Sequence, residues 1–346
     1  MGTRTVACVM EQTLGSVSHY LTLRGQESAV RDCRLQWIPV EYRGGRLPWT
    51  ITGSLLARRA LRPVLDGLDS IFMHTTTLAP LAVDYFRRKP TVLSSDGTQL
   101  NKREMRAAYG LKPEGYTSEQ AKRLFYREVF ARARGFVAWS NWAKQSFVED
   151  YGCRDEDVAV IPPGVDLDQF SSVRRNHELP RILFVGGDFV RKGGDLLLGI
   201  FRKRLRGRAE LILATRAELS EEPGVKVLRN VQPNSAELHH LYRSADIFAL
   251  PSRADCYSLV CMEALASGLP IVATPVGGIP DLVREGKTGH LVGVDDEQRL
   301  GDILEALVQD ASLRQHMGAQ SRLEAESSFD ARENTRRLFA FVLARS

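Results

Sequence analysis

The sequence lacks several features, and each absence narrows its chemistry. No stretch of the 346 residues approaches the ~18 continuous apolar residues of a membrane-spanning helix. The start, MGTRTVACVM, lacks a basic segment followed by a long apolar core, so a cytoplasmic location is expected. Cysteines are few and odd in number, five in all, with no C-x-x-C pair, which argues against a disulfide framework or a zinc site. There is no internal repeat, low-complexity tract, helix-turn-helix pattern or RNA-binding aromatic motif, so no nucleic-acid partner is expected. Glycines occur without the G-x-x-x-x-G-K-[ST] spacing of a P-loop.

What is present is ordinary globular material, 43% apolar and 26% charged, of a length that suggests two domains. Its charge is unevenly placed. Residues 1–165 hold 23 Lys and Arg against 17 Asp and Glu, whereas residues 166–346 hold 24 against 25. A basic first half suits an anionic lipid surface, a phosphorylated acceptor or nucleic acid; with no nucleic-acid motif present, peripheral contact with an anionic membrane is a further expectation, at the inner membrane face. Any single basic cluster is more simply a solvated helix face.

Strand-like runs alternate with helical ones along the whole chain, the mark of an α/β protein with parallel sheets. Strands are expected near Thr5–Met10, Leu35–Val40, Ser70–Met73, Thr91–Leu93, Gly135–Ala138 and Val158–Ile161. A helix is expected from about Val17. His74 follows the third of these strands and Asp96 the fourth, which puts both at carboxyl ends of strands, where open α/β sheets bind ligands. The segment 161–180, rich in Pro and polar residues, separates this series from a second one. The domains are therefore expected at 1–165 and 181–330, with a linker at 166–180 and a closing helix at 331–346.

The second series opens with RILFVGGDFVRKGGDLLLGIF. A buried strand ends at Gly186 and Gly187, Arg191 and Lys192 occupy the loop, and Asp195 is expected to cap a helix from Leu196. Two cations beside glycines and a helix start suit a diphosphate, since Lys brings a point charge and Arg a bidentate fork. Further on, Ser258–Ala266 reads S-L-V-C-M-E-A-L-A, an apolar helix carrying one acid, Glu263. A helix apolar all round is buried, and a buried lone carboxylate needs a polar partner, here expected to include a ligand. Ser258 is expected to cap this helix, leaving the N–H groups of its first turn for an anion, and Gly268 with Pro270 to end it. Asp255 lies on the preceding loop, and the glycines of PVGG are expected to let backbone approach a ligand.

These stretches together resemble the family-4 retaining glycosyltransferases, nucleotide-sugar enzymes of the GT-B fold. The resemblance is carried by VAWSNWAKQSFVEDYG with VAVIPPGVDLDQF, by FVGGDFVRKGGDLLL, by LYRSADIFALPS and by DCYSLVCMEALASGLPIVATPVGGIPDLVREGKTGHLV, over most of residues 135–295. It implies two Rossmann-like parallel-sheet domains facing a central cleft, with the final helix returning to the first domain. It implies that Lys192 with Arg191 holds the donor diphosphate, that Glu263 binds the ribose hydroxyls, and that the backbone of Ser258, Leu259 and Val260 meets the nucleotide. Asp255 stands where the family has a Glu that contacts the transferred sugar, and Gly15 corresponds to a phosphate-facing turn. The family's Arg after the strand glycine is Gly187 here, and Asp96, or His74 one strand earlier, replaces its usual histidine. The implied catalytic set is thus Asp96, His74 and Asp255, and the implied donor set Gly15, Gly186, Gly187, Arg191, Lys192, Asp255, Ser258, Leu259, Val260 and Glu263. A UDP- or GDP-sugar is the implied donor, with no metal and no cofactor, and the acceptor is a glycan, a lipid-linked sugar or a small molecule. Two alternatives stand beside transfer: a nucleotide-sugar-binding protein impaired in catalysis, and a GT-B nucleotide-sugar epimerase.

Overall fold

A computed structural model describes residues 3–41, 47–103, 105–171 and 177–346. In chain order the elements begin β1 (Arg4–Gln12), α1 (Leu14–Gly25), β2 (Cys33–Glu41), α2 (Trp49–Leu61), β3 (Ser70–His74) and β4 (Thr91–Ser95). There follow α3 (Tyr116–Phe130), β5 (Gly135–Ala138), α4 (Asn141–Glu149), β6 (Val158–Val160), β7 (Arg181–Val185) and α5 (Gly194–Ile200). Next come β8 (Glu210–Ala214), β9 (Val225–Leu228), α6 (Ala236–Ser244), β10 (Ile247–Leu250), α7 (Leu259–Ala266), β11 (Ile271–Ala273) and β12 (Gly289–Leu291). The chain closes with α8 (Glu297–Gln309), α9 (Ala311–Ser328) and α10 (Ala331–Ala344).

The chain divides into two compact units. One is Met1–Glu104, Lys112–Gly164 and Ala331–Ser346, and the other is Met105–Leu111 with Val165–Asp330. Residues 172–176 of the expected linker 166–180 lie outside the described residues.

The first unit holds a parallel sheet in the order β2-β1-β3-β4-β5-β6. Its strands β3, β4 and β5 are buried at every residue, as in a parallel sheet with both faces covered. Ala57, Leu61, Phe86, Phe130 and Phe147 fill one face. Leu23, Phe72, Leu338, Phe339 and Val342 fill the other, so α10 completes this core, with the Phe72 and Phe339 rings edge to face at 5.9 Å. The helix expected from Val17 starts three residues earlier, at Leu14. Its N-cap residue Thr13 makes no cap bond because its hydroxyl donates to Glu11 Oε1 at 2.6 Å instead.

The second unit holds a parallel sheet in the order β12-β11-β10-β7-β8-β9. Numbered within the unit this is the doubly wound order 3-2-1-4-5-6, and the winding reverses between β7 and β10. Gly268 follows α7 in the left-handed conformation at φ 64°, as its place after the apolar helix suggests. A Cβ at Gly318 of α9 would come within 2.4 Å of the Gly268 carbonyl oxygen, so that glycine lets α9 lie close beneath the helix end. The helix after β7 differs from expectation. It begins at Gly194, with Gly193 as its N-cap at φ 75°, and Asp195 sits inside the first turn and pairs with Arg253 at 2.7 Å. Only glycine fits at the cap, because a Cβ at Gly193 would lie 2.0 Å from the Pro251 carbonyl oxygen.

Candidate active site

In a doubly wound sheet the crevice lies beyond the carboxyl ends of the strands where the winding reverses. In the second unit that point is flanked by the loop after β7 and the loop after β10, and the residues read from the sequence meet there. Lys192 Nζ, from the first loop, forms an ion pair with Asp255 of the second, with both side chains largely buried. Arg191 is held on three sides: Nε donates to Asp188 Oδ2 at 3.0 Å, Nη1 donates to the Ala254 carbonyl at 2.8 Å, and the guanidinium lies 4.7 Å from the ring centre of Tyr109. The backbone locks the loops together as well, since Arg253 N donates to the Arg191 carbonyl at 2.8 Å. Gly186 and Gly187 end β7, and a Cβ at Gly186 would meet the Lys192 stem at 3.1 Å.

Glu263 stands on the buried side of α7, only 8% exposed. Its Oε2 accepts the Tyr242 hydroxyl proton at 2.7 Å, and no described residue partners Oε1. Burial pushes the Glu263 carboxyl up to about 7, against the smaller downward pull of the Tyr242 hydrogen bond. Tyr242, on α6, is itself fully buried, and its hydroxyl also meets the Val260 carbonyl at 3.2 Å. The partner that the apolar helix requires is therefore supplied from 21 residues upstream for one oxygen only.

Two local expectations are corrected. Ser258 occupies the N-cap of α7 but its buried hydroxyl makes no cap bond, so the first-turn N–H groups of Leu259 and Val260 are not closed by it. The PVGG glycines serve the protein backbone. Gly277 takes φ 57°, a Cβ there would lie 2.0 Å from the Asp255 carbonyl oxygen, and Gly278 N donates to the Cys256 carbonyl at 2.8 Å. That loop buttresses the Asp255 turn.

The remaining sequence-derived residues belong to the first unit. His74 ends β3 and is 1% exposed. Its ring stacks on Trp139 at 4.8 Å and 4°, meets His19 edge on at 5.0 Å, and its Nδ1 lies 3.3 Å from Ser94 Oγ. Burial, and then the Lys102 charge, lower it to about 3, which keeps the ring neutral. Its Nε2 is buried and has no hydrogen-bond partner among the described residues. Asp96, just past β4, is partly exposed and lies 3.5 Å from Lys102 Nζ. Gly15 lies in the first turn of α1 and is exposed.

Three residues at these places carried no signal in the sequence reading. Tyr242 lies in LYRSADIFALPS, and the missing partner of Glu263 is what should have pointed to it. Tyr109 comes from Met105–Leu111, a turn closed by Leu111 N donating to the Arg106 carbonyl at 2.9 Å and ended by Gly110 at φ 67°. Glu11, at the end of β1, is 6% exposed and accepts from Thr13 Oγ1 at 2.6 Å, from Trp49 Nε1 at 3.0 Å and from Thr75 Oγ1. Nothing in the local run EQTLGS distinguishes that acid.

Comparison with known proteins gives this arrangement a context. Residues 179–310 match the family described as "Glycosyl transferases group 1", and residues 16–169 match "Glycosyltransferase Family 4". The D-inositol 3-phosphate glycosyltransferase of Paenarthrobacter aurescens is 33% identical over 243 residues, covering 63% of this chain and 58% of the relative. That of Thermobifida fusca is 29% identical over 252 residues, with the same coverage. The chain thus spans less than two thirds of the length of the curated relatives it matches. Among solved structures, sucrose-phosphate synthase from Thermosynechococcus elongatus aligns over 99% of this chain and 100% of its own, with a TM-score of 0.77 at 15% identity. Anabaena HepE in complex with UDP-glucose aligns over 99% and 100%, with a TM-score of 0.71 at 16% identity. Motifs, sheet orders and both family matches agree: the chain belongs to the family 4, group 1 glycosyltransferases and is built on their GT-B fold.

Proposed function

We propose that the protein is a retaining glycosyltransferase that moves a sugar from a nucleotide-sugar donor to an acceptor hydroxyl. The observation that carries this reading is the convergence at the β7/β10 reversal of Lys192, Asp255, Arg191 and the half-partnered Glu263. In it, Lys192 and Arg191 stabilise charge growing on the departing diphosphate, the N–H groups at the start of α7 face the nucleotide, and Glu263 Oε1 accepts from the ribose hydroxyls. Asp255 both positions Lys192 and reaches toward the transferred sugar. The first domain, residues 1–165, selects the acceptor. The solved HepE complexes hold UDP and UDP-glucose, and the curated relatives act on D-inositol 3-phosphate, which supports a UDP-sugar donor and a small polyol phosphate among the acceptors to be tried first.

The test is a panel of nucleotide sugars with D-inositol 3-phosphate and other acceptors, following nucleotide release and the anomeric configuration of the product. Wild-type turnover that falls steeply in both Lys192→Ala and Glu263→Ala is expected. Turnover indifferent to both changes would sink the assignment, and an inverted product would refute retention. A second reading, a nucleotide-sugar-binding protein without transfer, draws on the burial of His74, one of the candidate catalytic groups. Tight donor binding with no product across the acceptor panel would favour it.

A further inference from the structure

The two cations of the loop after β7 are already engaged by acids. Arg191 pairs with Asp188 and Lys192 with Asp255, so the loop brings no surplus positive charge to a ligand. A nucleotide-sugar diphosphate carries a negative charge on each phosphate, and a buried or half-buried anion of that kind needs cations or N–H groups to replace water. Just beyond the end of β8 stands Arg216, an exposed residue whose guanidinium has no ion pair or side-chain hydrogen bond among the described residues. Its place is defined by the glycine pair that ends β7. A Cβ built on Gly187 would lie 3.6 Å from Arg216 Nε, 3.8 Å from Cδ and 3.9 Å from Cζ, ordinary contact distances. A Cβ on Gly186 would lie 3.1 Å from Lys192 Cβ and Cγ. Consecutive glycines therefore have the Lys192 stem over one and the Arg216 guanidinium in contact range of the next, so Arg216 lies where a longer side chain from 187 would extend.

We propose, resting on the nucleotide-sugar reading above, that Arg216 is a donor-binding residue that supplies the unpaired positive charge for the diphosphate across Gly187. Lys192 and Arg191 meet the diphosphate from places fixed by their own acids, and Arg216 adds the charge that no acid offsets. Its planar fork can meet two phosphate oxygens at once, which a solvated surface arginine elsewhere on the unit could not do at this place.

Calorimetric titration with UDP, GDP and ADP, and with the matching nucleosides, tests the assignment on the full chain. Arg216→Ala is expected to weaken whichever diphosphate the wild type binds by about tenfold or more, the effect of removing a hydrogen bond to a charged group, while leaving the nucleoside affinity and the melting temperature in place. In the Arg216→Ala background, Gly187→Arg is expected to recover part of the loss, because a side chain from 187 enters the space that Arg216 vacates. Unchanged diphosphate affinity in Arg216→Ala overturns the proposal, as does an equal loss for the nucleoside. A wild-type chain that binds none of the diphosphates sinks the donor reading itself, and this shows before any variant is made.

Discussion

Each unit contains one place where its sheet reverses winding, and the two places are chemically unlike. In the second unit the reversal between β7 and β10 is ringed by cations paired to acids: Lys192 with Asp255, Arg191 with Asp188, and Arg253 with both Asp195 and Asp295. In the first unit the reversal falls between β1 and β3, and its central group is a single buried acid, Glu11, that accepts only neutral donors. No Lys or Arg among the described residues pairs with it. The same backbone architecture thus offers one crevice ringed by ion pairs and another whose fixed charge is negative and already oriented by hydroxyl and indole donors. Parallel-sheet topology decides where a ligand can sit, and the loop side chains decide what it can be.

If the second crevice works through its ion pairs, removing Lys192 should have the largest effect. Lys192→Ala is expected to lower donor turnover by a hundredfold or more, roughly the effect of removing one preorganised charge from a developing anion, because it also strands Asp255 as an uncompensated buried acid. Steady-state kinetics with saturating acceptor checks this, and a loss under fivefold would break the contrast.

Next is the pH dependence carried by Glu263. Its carboxyl titrates at about 7 in the folded chain against an ordinary value of 4.5, so the folded state favours the protonated form. Stability from this group is unimpaired below the unfolded value, falls as pH rises from there to about 7, and is flat above, a total of about 3 kcal/mol. Glu263→Gln lacks this dependence, so its stability relative to wild type should improve by up to that amount between pH 4.5 and pH 8. Urea unfolding at the two pH values reads it, and a difference independent of pH would count against the buried, half-partnered carboxyl. Ribose hydroxyls donating to Oε1 favour the carboxylate, so nucleotide affinity should rise across the same interval.

The first crevice gives a smaller and different response. Glu11→Ala leaves the Thr13, Trp49 and Thr75 donors without their acceptor and is expected to cost about 1 to 3 kcal/mol of stability, with nucleotide affinity unchanged. A nucleotide affinity that falls with Glu11→Ala would erase the division of labour between the two crevices. Tyr109→Ala should have the mildest effect, a few-fold weaker nucleotide binding of the size expected for one cation–π contact on Arg191, with Tyr109→Phe close to wild type. Calorimetry distinguishes the two variants.

The fold was legible where buried parallel strands read as apolar runs: the strands expected at Thr5–Met10, Ser70–Met73, Thr91–Leu93 and Gly135–Ala138 coincide with β1, β3, β4 and β5 to within two residues. The places of Lys192, Asp255 and Glu263 were legible for a related reason: they lie on short loops and one helix whose positions the strands fix. Tyr242, Tyr109 and Glu11 were not, because each acts across the fold. Tyr242 reaches Glu263 over 21 residues and Trp49 reaches Glu11 over 38, and local periodicity carries no information on such pairs. Asp195 and Ser258 are good capping residues by type, and neither side chain caps its helix; a tertiary partner, Arg253, claims Asp195. His74 shows the converse. A histidine at a strand end carries the same signal whether it faces solvent or packs on an indole, and here it packs on Trp139.

The return of α10 to the first unit has a consequence for biosynthesis. Leu338, Phe339, Val342 and Leu343 form part of the same apolar cluster as Val6, Phe72 and Val92, and they are the last of that cluster to leave the ribosome. During synthesis the sheet that is made first therefore waits with part of one face uncovered, while the sheet made second already has all of its own strands and helices. The order of translation and the order of completion are opposed, and the first sheet keeps apolar surface exposed until α10 is made.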